Sequence, residues 1–206
     1  MGRVRGKGWM QEHVADTYVR RARAEGMRSR ASYKLEQIAE RDRLFAPGML
    51  VVDLGAAPGG WSQIAAREIA PAGRVIALDV LDMPAVPGVT FIRGDFRDAD
   101  AVAALAHALA GRKADLVLSD MAPNLSGIAA TDQARALELA ERARDFAANH
   151  LKPQGNLLVK VFQGAGFDEF VDALRRQFRT VSVRKPQASR SRSREVYVLA
   201  QGLRQT

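Results

Sequence analysis

The run Val51-Val52-Asp53-Leu54-Gly55-Ala56-Ala57-Pro58-Gly59-Gly60-Trp61 places three glycines in six residues at the end of an apolar stretch. An apolar strand, a small-residue turn and a helical segment in succession let backbone approach a nucleotide closely, with a helix N-terminus facing it. The spacing is not G-x-G-x-x-G, and Pro58 stands where a free amide would help a pyrophosphate. Asp53 adds negative charge, so a cationic ligand suits this turn better than a diphosphate. Asp79 follows Gly60 by nineteen residues, near the spacing of about 20 at which an acid accepts hydrogen bonds from ribose hydroxyls. Asp82 lies close by and is open to the same role. Asp95, in Gly94-Asp95-Phe96, can accept a bond from an adenine amino group, although loop aspartates are common.

Four more ionisable residues stand out. Asp120 follows the apolar run Ala114–Leu118, and no helix starts at once that it could merely cap. Ligands of open α/β sheets sit beyond the carboxyl ends of the strands, where strand order reverses, and Asp120 falls there. Lys160 interrupts Leu-Leu-Val…Val-Phe, a costly place for an amine. It reads either as a half-exposed strand lysine or as a functional group level with Asp120, and its place at the strand's C-terminal end favours the second. Glu195 opens the last strand, directly after Ser-Arg-Ser-Arg-Ser-Arg. Lys34 alone is an ordinary helix lysine beside an apolar face.

The elements that must carry these residues alternate. Strands are expected at Met49–Leu54, Gly73–Asp79, Val89–Ile92, Ala114–Leu118, Asn156–Phe162, Arg179–Val183 and Glu195–Ala200. Helices are expected at Asp16–Glu25, from an N-cap at Ser29 to about Arg43, and at Trp61–Ile69, Asp98–Ala110, Thr131–Leu151 and Phe167–Phe178. Asn124–Ala130 reads as a loop that could close over substrate, and Pro153-Gln154-Gly155 as a break after the long helix. Lys185–Arg194 is a loop that either pairs with phosphates or lacks order. Residues 1–12 read as flexible and basic, with Trp9 suited equally to stacking on a base or to anchoring the segment. No internal repeat or second domain is evident. His13, His107 and His150 are too scattered for a metal site.

Charge distribution narrows the function. The net charge is +8, yet residues 31–174 hold fourteen Lys/Arg against nineteen Asp/Glu. The basic excess sits at the ends: eight against three in residues 1–30, and nine against one in 175–206. An acidic body with two basic ends suits a polyanion held by the termini and chemistry done in the body. At 47% hydrophobic residues the chain can build a core, and with no cysteine it has neither disulfides nor thiol chemistry. No stretch is long enough to cross a bilayer and no signal-peptide core opens the chain, so a cytoplasmic protein without a membrane partner is expected.

The glycine turn resembles the first motif of S-adenosylmethionine-dependent methyltransferases. The whole pattern resembles the FtsJ family of ribosomal RNA 2′-O-ribose methyltransferases. The matching pieces are Ser-Arg-Ala-Ser-Tyr-Lys-Leu at 29–35, Asp-Leu-Gly-Ala-Ala-Pro-Gly-Gly-Trp at 53–61, Ser-Asp-Met-Ala-Pro-Asn at 119–124, Leu-Val-Lys-Val-Phe at 158–162 and Ser-Arg-Glu-Val-Tyr at 193–197. The resemblance implies an α/β, Rossmann-like methyltransferase fold, with a mostly parallel seven-stranded sheet and helices on both faces. Residues 1–28 would be a basic arm with a short helix, and 29–206 a single catalytic domain. It implies a catalytic tetrad of Lys34, Asp120, Lys160 and Glu195, and contacts to S-adenosyl-L-methionine from Gly59, Trp61, Asp79, Asp95 and Asp120. The implied substrate is a uridine of large-subunit ribosomal RNA in an assembled or nearly assembled 50S-type particle, met by a monomer.

Two roles for Lys160 stay open at this stage, general base or steering of the hydroxyl. For a lysine to be half neutral at pH 7, its pKa must fall from about 10.4, roughly 4–5 kcal/mol of bias. Burial and Lys34 push that way; Asp120 and Glu195 push back. Lys34, the N-terminal arginines, Arg190, Arg192 and Arg194 are expected to form one basic surface around the pocket. Rival readings are a 2′-O-methyltransferase of transfer RNA or of a messenger cap, an RNA-binding assembly factor, and a nicotinamide oxidoreductase. The last is disfavoured by the missing G-x-G-x-x-G.

Overall fold

An apolar run such as Leu50–Leu54 is stable only as a strand covered on both faces, and all five of its residues are buried. The computed structural model describes residues 18–205 except 19, 23, 125, 191 and 192. Trp9, His13, Arg23, Arg192 and the start of the first expected helix lie outside the described residues. In chain order the elements are α1 (Ser32–Asp42), β1 (Leu50–Leu54), α2 (Gly60–Glu68), β2 (Arg74–Asp79), β3 (Val89–Arg93), α3 (Ala99–Ala108), β4 (Ala114–Ser119), α4 (Ala129–His150), β5 (Leu151–Phe162), α5 (Phe167–Gln177), β6 (Phe178–Arg184) and β7 (Glu195–Leu203).

The seven strands form one sheet in the order β3-β2-β1-β4-β5-β7-β6. It is parallel except where β7 runs antiparallel to β5 and β6. Strand alternation divides the core in two. Val51, Leu116, Leu118, Leu158, Tyr197 and Leu199 face α1 and α2 through Leu35, Ile38, Trp61 and Ile64. Val52, Val117, Val159 and Val198 face α3, α4 and α5 through Leu105, Phe146 and Phe170. The order reverses between β1 and β4, so the switch point lies between the glycine turn and Asp120.

β7 runs three residues past the expected Ala200, to Leu203, and α3 stops at Ala108, two short of the expected Ala110; three further differences from the sequence reading have a visible cause. Ser29 is not a side-chain cap: α1 begins at Ser32 with no side-chain cap bond. Its first amides bond instead to the carbonyls of Ser29 and Arg30. The long helix starts at Ala129, earlier than expected, because Asp132 reaches back to Ser126 N at 2.7 Å and Gly127 N at 3.1 Å, fastening the loop to the first turn. β5 begins at Leu151, directly after α4, and runs through Pro153-Gln154-Gly155. The register slips there, Ala114 facing Leu151 while Leu116 faces Asn156. The extra residues bulge out with Gln154 at φ +70°, which is how a central strand accommodates Pro153 without losing its ladder.

Candidate active site

Register brings the ionisable residues together. Ser119 pairs with Val159 across β4 and β5, so Asp120 stands level with Lys160, which in turn faces Tyr197 on β7. Leu158, Tyr197 and Leu199 point to the α1–α2 side, and two-residue alternation sends Lys160 and Glu195 the same way. Lys34 meets them from α1. Its Nζ donates to Glu195 Oε1 at 2.6 Å and to the Tyr197 hydroxyl at 3.3 Å. That hydroxyl donates to Asp120 Oδ1 at 2.8 Å. Lys160 Nζ lies 3.1 Å from the same Oδ1 and donates to the Asp120 carbonyl at 2.5 Å. Glu195, Lys34, Tyr197, Asp120 and Lys160 therefore form one continuous polar chain, from residues 34 to 197 of the sequence. Of its four charged members Lys160 is the most enclosed, with its side chain 7% exposed against 13–18% for Lys34, Glu195 and Asp120.

The charges in this chain are mutually compensated, as enclosed charges must be. Burial pushes the Glu195 carboxyl up, but the Lys34 ammonium, Lys160 and the Ser189 hydroxyl together hold it below the usual carboxylate value. Burial, then the charges of Asp120 and Glu195, keep the Tyr197 phenol well above 10, so it stays a donor.

The glycine turn lies at the neighbouring strand end. Gly59 has φ +102° and sits at the N-cap of α2, a conformation open to glycine at little cost. Gly60 leaves room for two neighbouring hydroxyls, since a Cβ there would lie 2.5 Å from Ser29 Oγ and 2.6 Å from Ser32 Oγ and would force them to turn away. The turn is thus shaped by contacts with protein as well as by any ligand. Arg28, which sequence reading passed over, spans it: Nη1 donates to Pro84 O at 2.6 Å and to Pro58 O at 3.4 Å, and Nη2 to Ala85 O at 2.6 Å.

The expected cofactor contacts divide by environment. Asp79 ends β2 with Oδ2 accepting from Ala57 N at 2.9 Å and Oδ1 from Leu81 N at 2.8 Å. The apolar side chains that follow it, Val80 and Leu81, are 51% and 65% exposed. Asp95, beyond the end of β3, is engaged by Arg97, whose bonds hold its carboxyl below the ordinary range. Trp61 is buried, donates its Nε1 to Ala31 O at 2.9 Å and packs 5.5 Å from the Tyr197 ring. Its side chain ties α2 to α1 and β7, which leaves only its backbone for a ligand. Sequence reading also missed Tyr197, although it lies two residues after Glu195 and so shares its face. The basic surface is assembled in part: Arg30, Lys34 and Arg190 line one cleft.

Asp53 lies on the same sheet face as Lys160, two residues short of the glycine turn, and is fully buried. Ser62 Oγ donates to its Oδ2 at 2.6 Å, while its Oδ1 has no partner. Burial is the main force that pushes this carboxyl up to about 7, with Asp120 and Asp79 adding repulsion against the relief given by Ser62. At neutral pH it is therefore only partly the fixed anion that its place in the sequence suggests.

A 3-2-1-4-5-7-6 sheet, a glycine turn at its switch point and an acid closing the second strand define a Rossmann-like methyltransferase fold. The chain belongs to the FtsJ-like methyltransferase family, which matches residues 27–203. Ribosomal RNA large subunit methyltransferase E of Azoarcus sp. (strain BH72) is 60% identical over 198 residues, covering 96% of this chain and 97% of that one. The protein of the same name in Stenotrophomonas maltophilia (strain R551-3) is 58% identical over 196 residues, covering 95% and 93%. Among solved structures, a candidate ribosomal RNA methyltransferase from Plasmodium falciparum superposes with TM-score 0.76 at 25% identity, over 85% of this chain and 98% of that one.

Proposed function

We propose that the protein transfers a methyl group from S-adenosyl-L-methionine to the 2′-hydroxyl of a uridine in large-subunit ribosomal RNA, within an assembled or nearly assembled particle. The observation that carries this reading is the unbroken chain Glu195–Lys34–Tyr197–Asp120–Lys160 beside the glycine turn. Ribosomal RNA as substrate is supported by the names of relatives 58–60% identical to this chain. The two basic ends add charge complementarity to RNA.

The residues present fit the cofactor. Asp79 offers a carboxylate where ribose hydroxyls are expected, beside the exposed Val80 and Leu81, which suit a flat adenine face. The N-terminus of α2 and Gly59 supply close backbone. Gly59, Trp61 through its amide, Asp79, Asp95 and Asp120 would hold the group. The cofactor supplies a methyl group on cationic sulfur, already a good leaving group. What this chain must add is alignment and a path for one proton. Alignment of two bound reactants can be worth about 7–11 kcal/mol.

An ammonium has three donors, and Lys160 directs two of them at the Asp120 carbonyl and carboxylate. The third can hold the incoming hydroxyl oxygen and stabilise negative charge while the hydroxyl proton passes to solvent water. With two of its donors already committed to Asp120, Lys160 is placed to steer the hydroxyl, and steering fits this geometry better than general-base action. Lys34 is neutralised by Glu195 and supports the Tyr197 hydroxyl, which fixes Asp120.

Mapping ribose methylation across large-subunit RNA, in cells with and without the protein, tests the reaction. Loss of methyl from one uridine is the expected result, restored by the native chain and not by Lys160→Ala. An unchanged map removes the proposed reaction. In vitro, Lys160→Ala should lower turnover by at least about 100-fold, with cofactor affinity by calorimetry within about threefold of native.

A further inference from the structure

Beside the tetrad lies a cleft of about 270 Å³ lined by Arg30, Lys34, Arg190, Ser193 and Glu195. It is slightly below the roughly 300–1,000 Å³ typical of sites for drug-sized ligands, a size suited to one phosphate and its sugar. Three cations line it against one carboxylate. That carboxylate is occupied, accepting from Lys34 at 2.6 Å and from the Ser189 hydroxyl at 3.2 Å. The guanidiniums of Arg30 and Arg190 remain as the excess charge, and each offers a planar fork that matches phosphate oxygens.

The cleft has built walls. Arg30 is aimed by a bond from Nη2 to Ala188 O at 2.8 Å. Ala188 is 1% exposed, and its amide donates to Gln37 Oε1 at 3.3 Å. Lys185 donates to the carbonyls of Ser193 and Glu195, closing the base of the segment that carries Arg190. Lys34 and Glu195 belong both to this cleft and to the tetrad, so whatever anion enters it must lie close to the reacting hydroxyl.

Of the two phosphates flanking a nucleotide, the one on O3′ is four covalent bonds from O2′, and the one on O5′ is six. We propose that this cleft is a phosphate subsite, in which Arg30 and Arg190 grip the phosphodiester on the 3′ side of the target ribose. The inference rests on the reaction proposed above. It assigns two residues outside the tetrad to substrate placement. It also gives the enzyme a reason to act on a nucleotide inside a chain and not on a free nucleoside.

The test uses the full-length protein saturated with S-adenosylhomocysteine and titrated with uridine, uridine 5′-monophosphate and uridine 3′-monophosphate, followed by NMR. The native protein should bind the 3′-monophosphate about tenfold or more tighter than the other two, the scale of a charge-assisted contact. In the double variant Arg30→Gln/Arg190→Gln that preference should vanish, while S-adenosylhomocysteine affinity, a check on folding, stays native. Equal affinity for the two monophosphates overturns the proposal. So does absence of 3′-monophosphate binding at millimolar concentration, or a preference that survives in the variant. A 3′ preference in a protein that leaves large-subunit RNA unmethylated would keep the subsite and remove the reaction.

Discussion

At the scale of single residues, the site depends on groups that satisfy one another. Tyr197→Phe removes the donor that fixes Asp120 Oδ1 at 2.8 Å and the acceptor facing Lys34. The loss of about 1–2 kcal/mol of ordering should lower kcat about tenfold while KM for RNA stays near native. Turnover equal to native would mean that Asp120 is held by Lys160 alone. Asp53 makes a different prediction. Between 3.8 and about 7, the folded chain keeps a proton on Asp53 that the unfolded chain has lost. Stability from this group is therefore full below 3.8, declines as pH rises through that window, and is gone above it. Asp53→Asn should remove this decline, so the variant gains on the native protein as pH rises from about 4 to 8, by a few kcal/mol at most. Parallel melting curves for the two proteins across that range would show that Asp53 does not titrate as described. Of these residues, Asp120 and Lys160 are legible from strand position alone. The pairing of Lys34 with Glu195, 161 positions away, emerges only from family resemblance, because no local pattern encodes a contact between a helix and the last strand.

Among elements, those driven by burial are the legible ones. β1, β2 and β4 read as apolar runs, and α2 and α5 begin and end within a residue of expectation. β5 misleads because Pro153 and Gly155 are turn residues in most contexts, and only the neighbouring strands make a bulge better than a loop. The segment before α1 is opaque for another reason. Its role lies in Arg28, which bonds to backbone carbonyls, and these leave no mark on the sequence. Gln63 of α2 stitches the same segment down, accepting from Arg28 N at 3.3 Å and donating to Gly26 O at 3.1 Å. The clasp joins the loop after β2 to the glycine turn, the two backbones that would enclose the cofactor. Arg28→Ala should therefore weaken S-adenosylmethionine binding about three- to tenfold by calorimetry. Arg28→Lys should do nearly as badly, since a point charge cannot bridge two carbonyls as a planar fork does. Native affinity in both variants would show that the loops hold their places without the clasp.

At the scale of the whole molecule, the two basic ends of the sequence meet where Arg30 and Arg190 line one cleft. Tyr18, Ala22, Met27, Tyr33 and Ala188 form a small apolar cluster apart from the main cores. It seats the segment after β6 against the N-terminal segment and α1. Arg30 bonds across this seam, and Arg190 reaches the same cleft from its far side. An acidic body could carry its cations anywhere at equal cost in solubility. Here the seam brings Arg30 and Arg190 to one cleft beside Lys34 and Glu195, which under the proposed reaction would let RNA held by its phosphates present a ribose to Lys160. Ala188→Asp places an unpartnered carboxylate in a site 1% exposed and should pry the seam open. RNA affinity by fluorescence anisotropy should then fall about tenfold at low salt, with a shallower dependence of log affinity on log salt as phosphate contacts are lost. Cofactor affinity should change much less, because Asp79 ends β2 and Gly59 caps α2, and neither belongs to that cluster. Should RNA affinity and its salt slope both stay native, the two ends contribute independently and the seam is packing without consequence for the substrate.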